Sequence, residues 1–287
     1  MKKWIALILT LTMVVCACPI AFAANAGDAC VVLGADLTEE QIAEVYKHFT
    51  LTRGELPELT VTIDEERARL GGLVDADKIG SYSLSCVFIR VLDEGDGISI
   101  DTHNIDWCTA DMYKNALITA GITDAEVMIT SPYVVSGTAA LTGIYKAYED
   151  ITGEEISEEE KEASTQELIV TGNLAELIGS DEATQLINEL KLILDETRNM
   201  TDEEVAVEIS NIAQSLGVSL TDEDILQIIQ LVRKLEKLDI SNLQESVLNF
   251  MGTVQKMEDA GEKISSFGGK IISFFNRLIE FFDRLLA

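Results

Sequence analysis

The stretch SPYVVSGTAALTGIYKAY, residues 131–148, is where the chain changes texture. Before it, short β-like apolar runs alternate with helix patterns. After it, nearly everything carries the helical period. Pro132 closes a strand over 127–130, and a helix is expected from about 136 to 148. Within that helix Ala139, Gly143 and Ala147 fall at i, i+4 and i+8, a strip of small side chains on one face. A glycine inside a helix costs about 1 kcal/mol relative to alanine, so close packing against a neighbour is the reading that accounts for Gly143.

Upstream, Val31-Val32-Leu33 reads as a first strand. A helix start follows, with Thr38 as N-cap, Gln41 at the capping-box position and Leu37 and Ile42 placed as a hydrophobic staple. It should run to about His48. Leu59, Val61 and Ile63 alternate with Thr60 and Thr62 as a second strand, and 64–70 forms one or two helical turns stopped by Gly71-Gly72. Strands over 81–92 and 97–105 are joined by Asp93-Glu94-Gly95-Asp96-Gly97, a hairpin signal. The first of them is apolar on both faces and so belongs in the middle of its sheet. Thr109 caps a helix that presents Tyr113, Ala116, Leu117 and Ala120 on one face, and Gly121 ends it. The fold class is therefore α+β: an N-terminal α/β sandwich with a five-stranded mixed or antiparallel sheet, followed by an all-helical C-terminal bundle.

Downstream, helix starts recur at Ser157-x-x-Glu160, Thr201-x-x-Glu204, Thr221-x-x-Asp224 and Ser241-x-x-Gln244, with Met200/Val205 and Leu220/Ile225 as staples. The last three starts are 20 residues apart. The residues between them do not match, so the spacing reflects similar helix lengths rather than a repeat. Charge divides this half: residues 151–232 carry 20 acids and 3 bases, whereas 233–287 carry 8 of each. From Leu243 through Val247, Phe250, Val254, Met257, Gly261, Ile264, Gly268, Ile271, Phe275, Leu278 and Phe282 to Leu285, alternating four- and three-residue steps make a heptad seam. Gly268-Gly269 should break or hinge it. Beyond them the stripe widens, and Ile271, Phe274, Phe275, Leu278, Phe281, Phe282 and Leu285 form a candidate membrane or partner contact.

Lys2 and Lys3, an apolar run over 4–15 and Ala21-Phe22-Ala23 form a secretory signal peptide, placing the mature start near Ala24. A rival reading takes Val15-Cys16-Ala17-Cys18 as a lipoprotein box with Cys18 lipidated. Cleavage after Ala23 leaves Cys30, Cys86 and Cys108, so at most one internal disulfide can form, its pairing open. The expected division is a signal peptide at 1–23, an α/β domain at 24–150, an acidic helical bundle at 151–260 and an amphipathic C-terminal helix at 261–287. The formal net charge of −29 argues against nucleic-acid binding.

Several segments share one pattern: V-V-L-G-A-D-L-T at 31–38, E-E at 65–66, L-G at 70–71, I-G-S at 79–81 and T-H-N-I at 102–105. M-Y-K-N-A-L-I-T-A-G at 112–121 and V-S-G-T-A-A-L-T-G at 135–143 complete it. The chain thereby resembles the YpuA-like family of exported proteins from Gram-positive bacteria, a domain of unknown function. The match is specific over about 31–150 and looser through the helical half. The resemblance implies an extracytoplasmic protein and no known activity, and it carries over no catalytic residues. In that pattern an aromatic is usual where Arg69 stands, and Cys86 and Cys108 are not part of it, so no shared cysteine chemistry is implied.

Candidate chemistry is thin. Only His48 and His103 are histidines, and no Cys or His spacing matches a zinc site. Cys86, His103 and Asp101 suggest a nucleophile, base and orienting acid. The hairpin pairing speaks against it, since Ser83 and Ser85 should share a face with Asp101 and His103 while Cys86 lies opposite with Ile100 and Thr102. Asp93, Glu94 and Asp96 could hold calcium, but the EF-hand pattern is absent and a solvated loop tip is favoured. Ser136-Gly137 is not a nucleophile elbow, because Val134 occupies the first glycine's place; backbone amides at that helix start can bind a small anion. No catalytic, cofactor or metal residue is assigned. The expectation is an exported, non-enzymatic cell-envelope binding or scaffolding protein with no cofactor. Its C-terminal helix would contact an envelope component, a membrane surface or another copy, with no transmembrane span in the mature chain. The alternatives are a wall-active hydrolase using paired carboxylates and a lipoprotein anchored through Cys18.

Overall fold

The computed structural model describes residues 27–74 and 79–259. The expected signal peptide, the candidate lipoprotein Cys18 and the candidate contact residues 271–285 lie outside them.

The core of the first part is one five-stranded sheet. Its strands are β1 (Ala29–Gly34), β2 (Glu58–Val61), β3 (Cys86–Val91), β4 (Ile98–Ile105) and β5 (Ala125–Val135), in spatial order β2-β1-β3-β5-β4. β1 pairs parallel with β2, β3 runs antiparallel to both β1 and β5, and β4 pairs parallel with β5, so the sheet is mixed. Helices cover both faces. On one, α1 (Glu39–His48) brings Ile42, Val45 and Tyr46 against Val31, Leu33, Cys86 and Phe88. On the other, α3 (Ala110–Thr119) and α4 (Thr138–Thr152) pack on Val32, Val87, Ile89, Val127 and Ile129. Between them in sequence lies α2 (Ile63–Leu70), whose capping box is made by Thr62 and Glu65.

The expected β3–β4 hairpin is not formed. β5 is inserted between those two strands, and the Asp93–Gly97 loop crosses over its end instead of turning tightly. The inserted strand is the more apolar partner: Val127 and Ile129 are buried beside Ile89 and Val87, whereas β4 alternates half-buried and exposed residues as an edge strand does.

The close-packing reading of Gly143 holds. A Cβ built there would meet Val32 Cγ1 at 3.3 Å and Val87 Cγ2 at 3.5 Å, so α4 lies directly on the sheet. The helix starts at Gly137, whose φ of 92° lies in the left-handed region. A side chain there would also collide with the Tyr113 hydroxyl and Ile105.

The second part is helical: α5 (Glu158–Ile178), α6 (Ser180–Leu192), α7 (Leu194–Thr197), α8 (Asp202–Ser215), α9 (Asp222–Leu235) and α10 (Ile240–Asp259). Capping boxes at Ser157, Thr201 and Thr221 form as read, and α8 and α9 are each 14 residues long, which explains the 20-residue spacing. The cap of α10 is Asp239, whose Oδ1 accepts from the Asn242 amide, and not Ser241. Leu243 and Val247 of the heptad seam are buried in the bundle core, with Phe250 packed at its margin.

The two parts meet on α5. Its Leu168 belongs to the sheet-side core and its Ala163, Val170 and Leu174 to the bundle core, so the helix is buried nearly all round. Its buried Glu167 is paired internally. Glu167 and Lys191 form a fully buried ion pair, Thr119 Oγ1 donates to Glu167, and Lys191 Nζ donates to the Asn115 carbonyl. Burial pushes the Glu167 carboxyl up and the Lys191 amine down, and the attraction between them opposes both shifts.

Candidate functional site

Most sequence-level candidates disperse. Cys30, Cys86 and Cys108 are buried thiols with no disulfide among them. Because β5 intervenes, Cys86 pairs with Thr130 and Thr130 with His103, which puts Cys86 and His103 on the same face of the sheet. This reverses the hairpin-based assignment, in which Cys86 shared a face with Ile100; Ile100 instead packs on the opposite side, toward the core of α3 and α4. The triad still does not assemble. Two strand spacings, roughly 9–10 Å, separate the Cys86 and His103 backbones, and burial pushes the Cys86 thiol up to about 12. His103 stacks on His48 with ring centroids 4.3 Å apart.

The Asp93–Gly97 loop is organised around a carboxylate and not a cation. The amides of Gly95 and Gly97 both donate to Asp124 Oδ1 at 2.8 Å. No group of three or more His, Cys, Asp or Glu is placed to hold a metal among the described residues. Beside this loop lies a cavity of about 580 Å³, closed on one side by α10, with Lys114 Nζ 5.0 Å from the Phe250 ring centroid.

A different cavity, of about 430 Å³, gathers unspent chemistry. It lies where the end of β5, the first turn of α4, α2 and the chain over 79–85 converge, and it includes Glu66, Tyr82, Asp106, Trp107, Ser136 and Thr138. Glu66 is the unusual member, a carboxyl only 1% exposed. Its Oε1 accepts from Thr138 Oγ1 at 2.8 Å, and Ser136 Oγ lies 3.3 Å behind Thr138 Oγ1. Its Oε2 is buried without a hydrogen-bond partner. Burial outweighs the Thr138 hydrogen bond and the Arg67 charge, and raises the Glu66 carboxyl to about 7. The start of α4 beside it has no side-chain cap, and Thr138 and Ala139 of its first turn line the same cavity.

Scaffolding explains why these groups stay in place. Gly34 lets β1 approach the 83–85 segment; a Cβ there would sit 2.2 Å from the Ser83 carbonyl oxygen. Asp36 Oδ2 accepts from the Ser83 amide at 2.8 Å. Tyr113, fully buried, donates to the Gly137 carbonyl at 2.6 Å and fixes the turn into α4. Trp107 is held from the helical part. Its Nε1–H donates to Glu176 Oε1 at 2.6 Å, and its ring fills the space above Gly172, where a Cβ would come within 2.4 Å.

Sequence reasoning singled out Ser136 and the helix start but not Glu66, Asp106 or Trp107. Glu66 sits one residue past a capping-box glutamate and reads as one more solvated first-turn acid. The available signal was the set of shared segments, since 65–66, 79–81 and 135–138 all reach this cavity.

The family described as "Protein of unknown function (DUF1002)" matches residues 33–250. The chain is also similar to the "Uncharacterized protein YpuA" of Bacillus subtilis (strain 168), 37% identical over 244 residues that cover 84% of this chain and 83% of that protein. No solved structure matches.

Proposed function

The chain belongs to the DUF1002 family of proteins of unknown function, and from that premise we propose that it is an exported, non-enzymatic binding protein of the cell envelope. The α/β part holds an envelope component in the Glu66 cavity, and the segment 261–287 adds a contact with a membrane surface, a partner or another copy. One observation carries the reading: a carboxyl buried to 1% exposure has an oxygen without a partner in a cavity of about 430 Å³ beside an uncapped helix start. A buried polar group left unsatisfied costs about 1–3 kcal/mol, which a ligand can relieve. Export is supported by the signal-like residues 1–23. No helix among the described residues is long and apolar enough to cross a membrane.

The test is co-sedimentation of the full chain with purified cell envelopes. Ser81 is exposed at the cavity mouth, and Ser81→Trp should obstruct it and release most of the protein to the supernatant. Equal retention of wild type and Ser81→Trp would remove the cavity from the function. Deleting 262–287 and measuring liposome binding and solution mass addresses the tail; no change in either would make it ordinary core packing.

The hydrolase reading gains one supporting observation, that Glu66 and Asp106 line one cavity. With Glu66 as proton donor and Asp106 as base, the pair suits hydrolysis of a glycosidic bond. Release of reducing ends from purified wall glycan by wild type, and its loss in Asp106→Asn, would establish it; no release would dispose of it.

A further inference from the structure

We propose that the Glu66 cavity binds a neutral ligand through an amide carbonyl, with the Glu66 carboxylic acid and the first amides of α4 donating to that oxygen. The proposal rests on the reading of this cavity as a ligand site and names the chemistry it selects. Glu66 Oε1 is already an acceptor for Thr138, so the proton of the acid form sits on Oε2, the oxygen without a partner. Thr138 gives its own hydrogen to Glu66, which leaves Ser136 as the donor in the contact with Thr138. The relay Ser136 to Thr138 to Glu66 therefore leaves an O–H donor on the oxygen without a partner, in a residue that lines the cavity. The start of α4, without a side-chain cap, adds N–H donors. Donors without acceptors call for an acceptor.

An anion is the usual occupant of a helix start, and here charge opposes it. Asp106 lines the same cavity, and the chain carries a formal net charge of −29. A carbonyl accepts the same hydrogen bonds without that repulsion. Tyr82, 68% exposed at the rim, and the half-buried Trp107 offer apolar faces for the body of the ligand. The volume suits a small molecule or one residue of a polymer. An acetamido sugar and a peptide both present this group.

The groups facing Glu66 fix the pH dependence. Arg67 on its own helix favours the charged form, while burial opposes it; α4 contributes the Thr138 and Ser136 hydroxyls, α3 the uncharged Tyr113, and the 106–107 segment Asp106. With the acid near 7, the donor form predominates below neutrality and is lost above it.

Calorimetric titration of the full chain with N-acetylglucosamine and with N-acetylalanine methylamide tests this and separates the two sources. At least one should bind at about pH 6, and wild-type affinity should fall roughly tenfold per pH unit once Glu66 is ionised. Glu66→Gln keeps an N–H donor at every pH and should bind with a flat pH profile. Acetate or inorganic phosphate binding more tightly than both amides, a pH-independent wild type, or no amide binding at about pH 6 overturns the proposal. Should Glu66→Gln fail to fold, wild-type NMR decides: backbone amide shifts of Thr138 and Ala139 that respond to the probe at about pH 6 but not at about pH 9 support it, and unmoved amides overturn it. If Ser81→Trp abolishes envelope retention while neither amide binds, this inference falls and the proposed function stands. If an amide binds but envelopes do not retain the protein, the chemistry stands and the envelope role falls.

Discussion

Gly143 and Glu66 show how much a single position carries in this protein. At Gly143 the contacts to Val32 and Val87 are tight for a Cβ but leave room for a few tenths of an ångström of adjustment. Gly143→Ala should therefore be near neutral, its gain of about 1 kcal/mol in helix propensity offset by the crowding. Gly143→Leu cannot be accommodated and should cost at least about 2–3 kcal/mol, read by urea denaturation; wild-type stability there would end the close-packing account. Glu66 sets a second test. Its acid is raised to about 7 from an ordinary 4.5, so its contribution to stability is complete below about pH 4.5 and is lost as pH rises through about 7. The loss is on the order of 3 kcal/mol. Glu66→Gln removes that dependence, so the stability of the variant relative to wild type should climb between pH 5 and pH 8 and then level off. A constant difference across that range would mean that Glu66 is charged in the folded protein.

Among the elements, local signals were legible and pairings were not. The capping boxes at Thr38, Thr62, Thr109, Ser157, Thr201 and Thr221 are formed by residues three apart, and five of the six could be placed from the sequence because the cap is a local hydrogen bond. At 62–65 the alternation of Leu59, Val61 and Ile63 instead carried the strand reading one residue into the helix. The β3–β4 hairpin was misread because the Gly-rich loop satisfies every local turn rule, and only Asp124, some thirty residues on, gives its amides a partner. The cavity was hidden for the same reason, as Glu66, Trp107 and Thr138 meet only when α2, α4 and α5 are packed. Helix α5 decides whether that packing holds. Its Glu167 is wholly buried against Lys191, so Lys191→Met leaves an unpaired buried carboxylate and should cost about 3–5 kcal/mol. Glu167→Gln combined with Lys191→Met should recover most of that loss. A double-mutant cycle by chemical denaturation measures the coupling; additive effects would show that the pair does not act as a unit.

Across the whole molecule, the acidity has a partly structural origin that composition alone conceals. Each of α5, α8 and α9 opens with a hydroxyl cap and three acids: Glu158, Glu159 and Glu160, then Asp202, Glu203 and Glu204, then Asp222, Glu223 and Asp224. Acids there complement the positive helix ends and contribute roughly 0.3–1 kcal/mol each at low salt. The same charges repel one another over the length of the molecule, and nothing local offsets a net −29. The two effects act at different ranges. Cap and dipole contacts span a few ångströms, inside the Debye length of about 8 Å at physiological ionic strength, whereas helix-to-helix repulsion extends beyond it. Raising sodium chloride from about 10 mM to about 150 mM shortens the Debye length from roughly 30 Å to 8 Å. It should strip away the repulsion and leave most of the cap energy. The melting temperature should therefore rise by several degrees over that interval and flatten above it, with sodium sulfate matched for ionic strength giving the same initial slope. A melting temperature that falls with salt would mean that helix-end electrostatics, and not self-repulsion, dominate, and that the acids of 151–232 are there to stabilise the bundle.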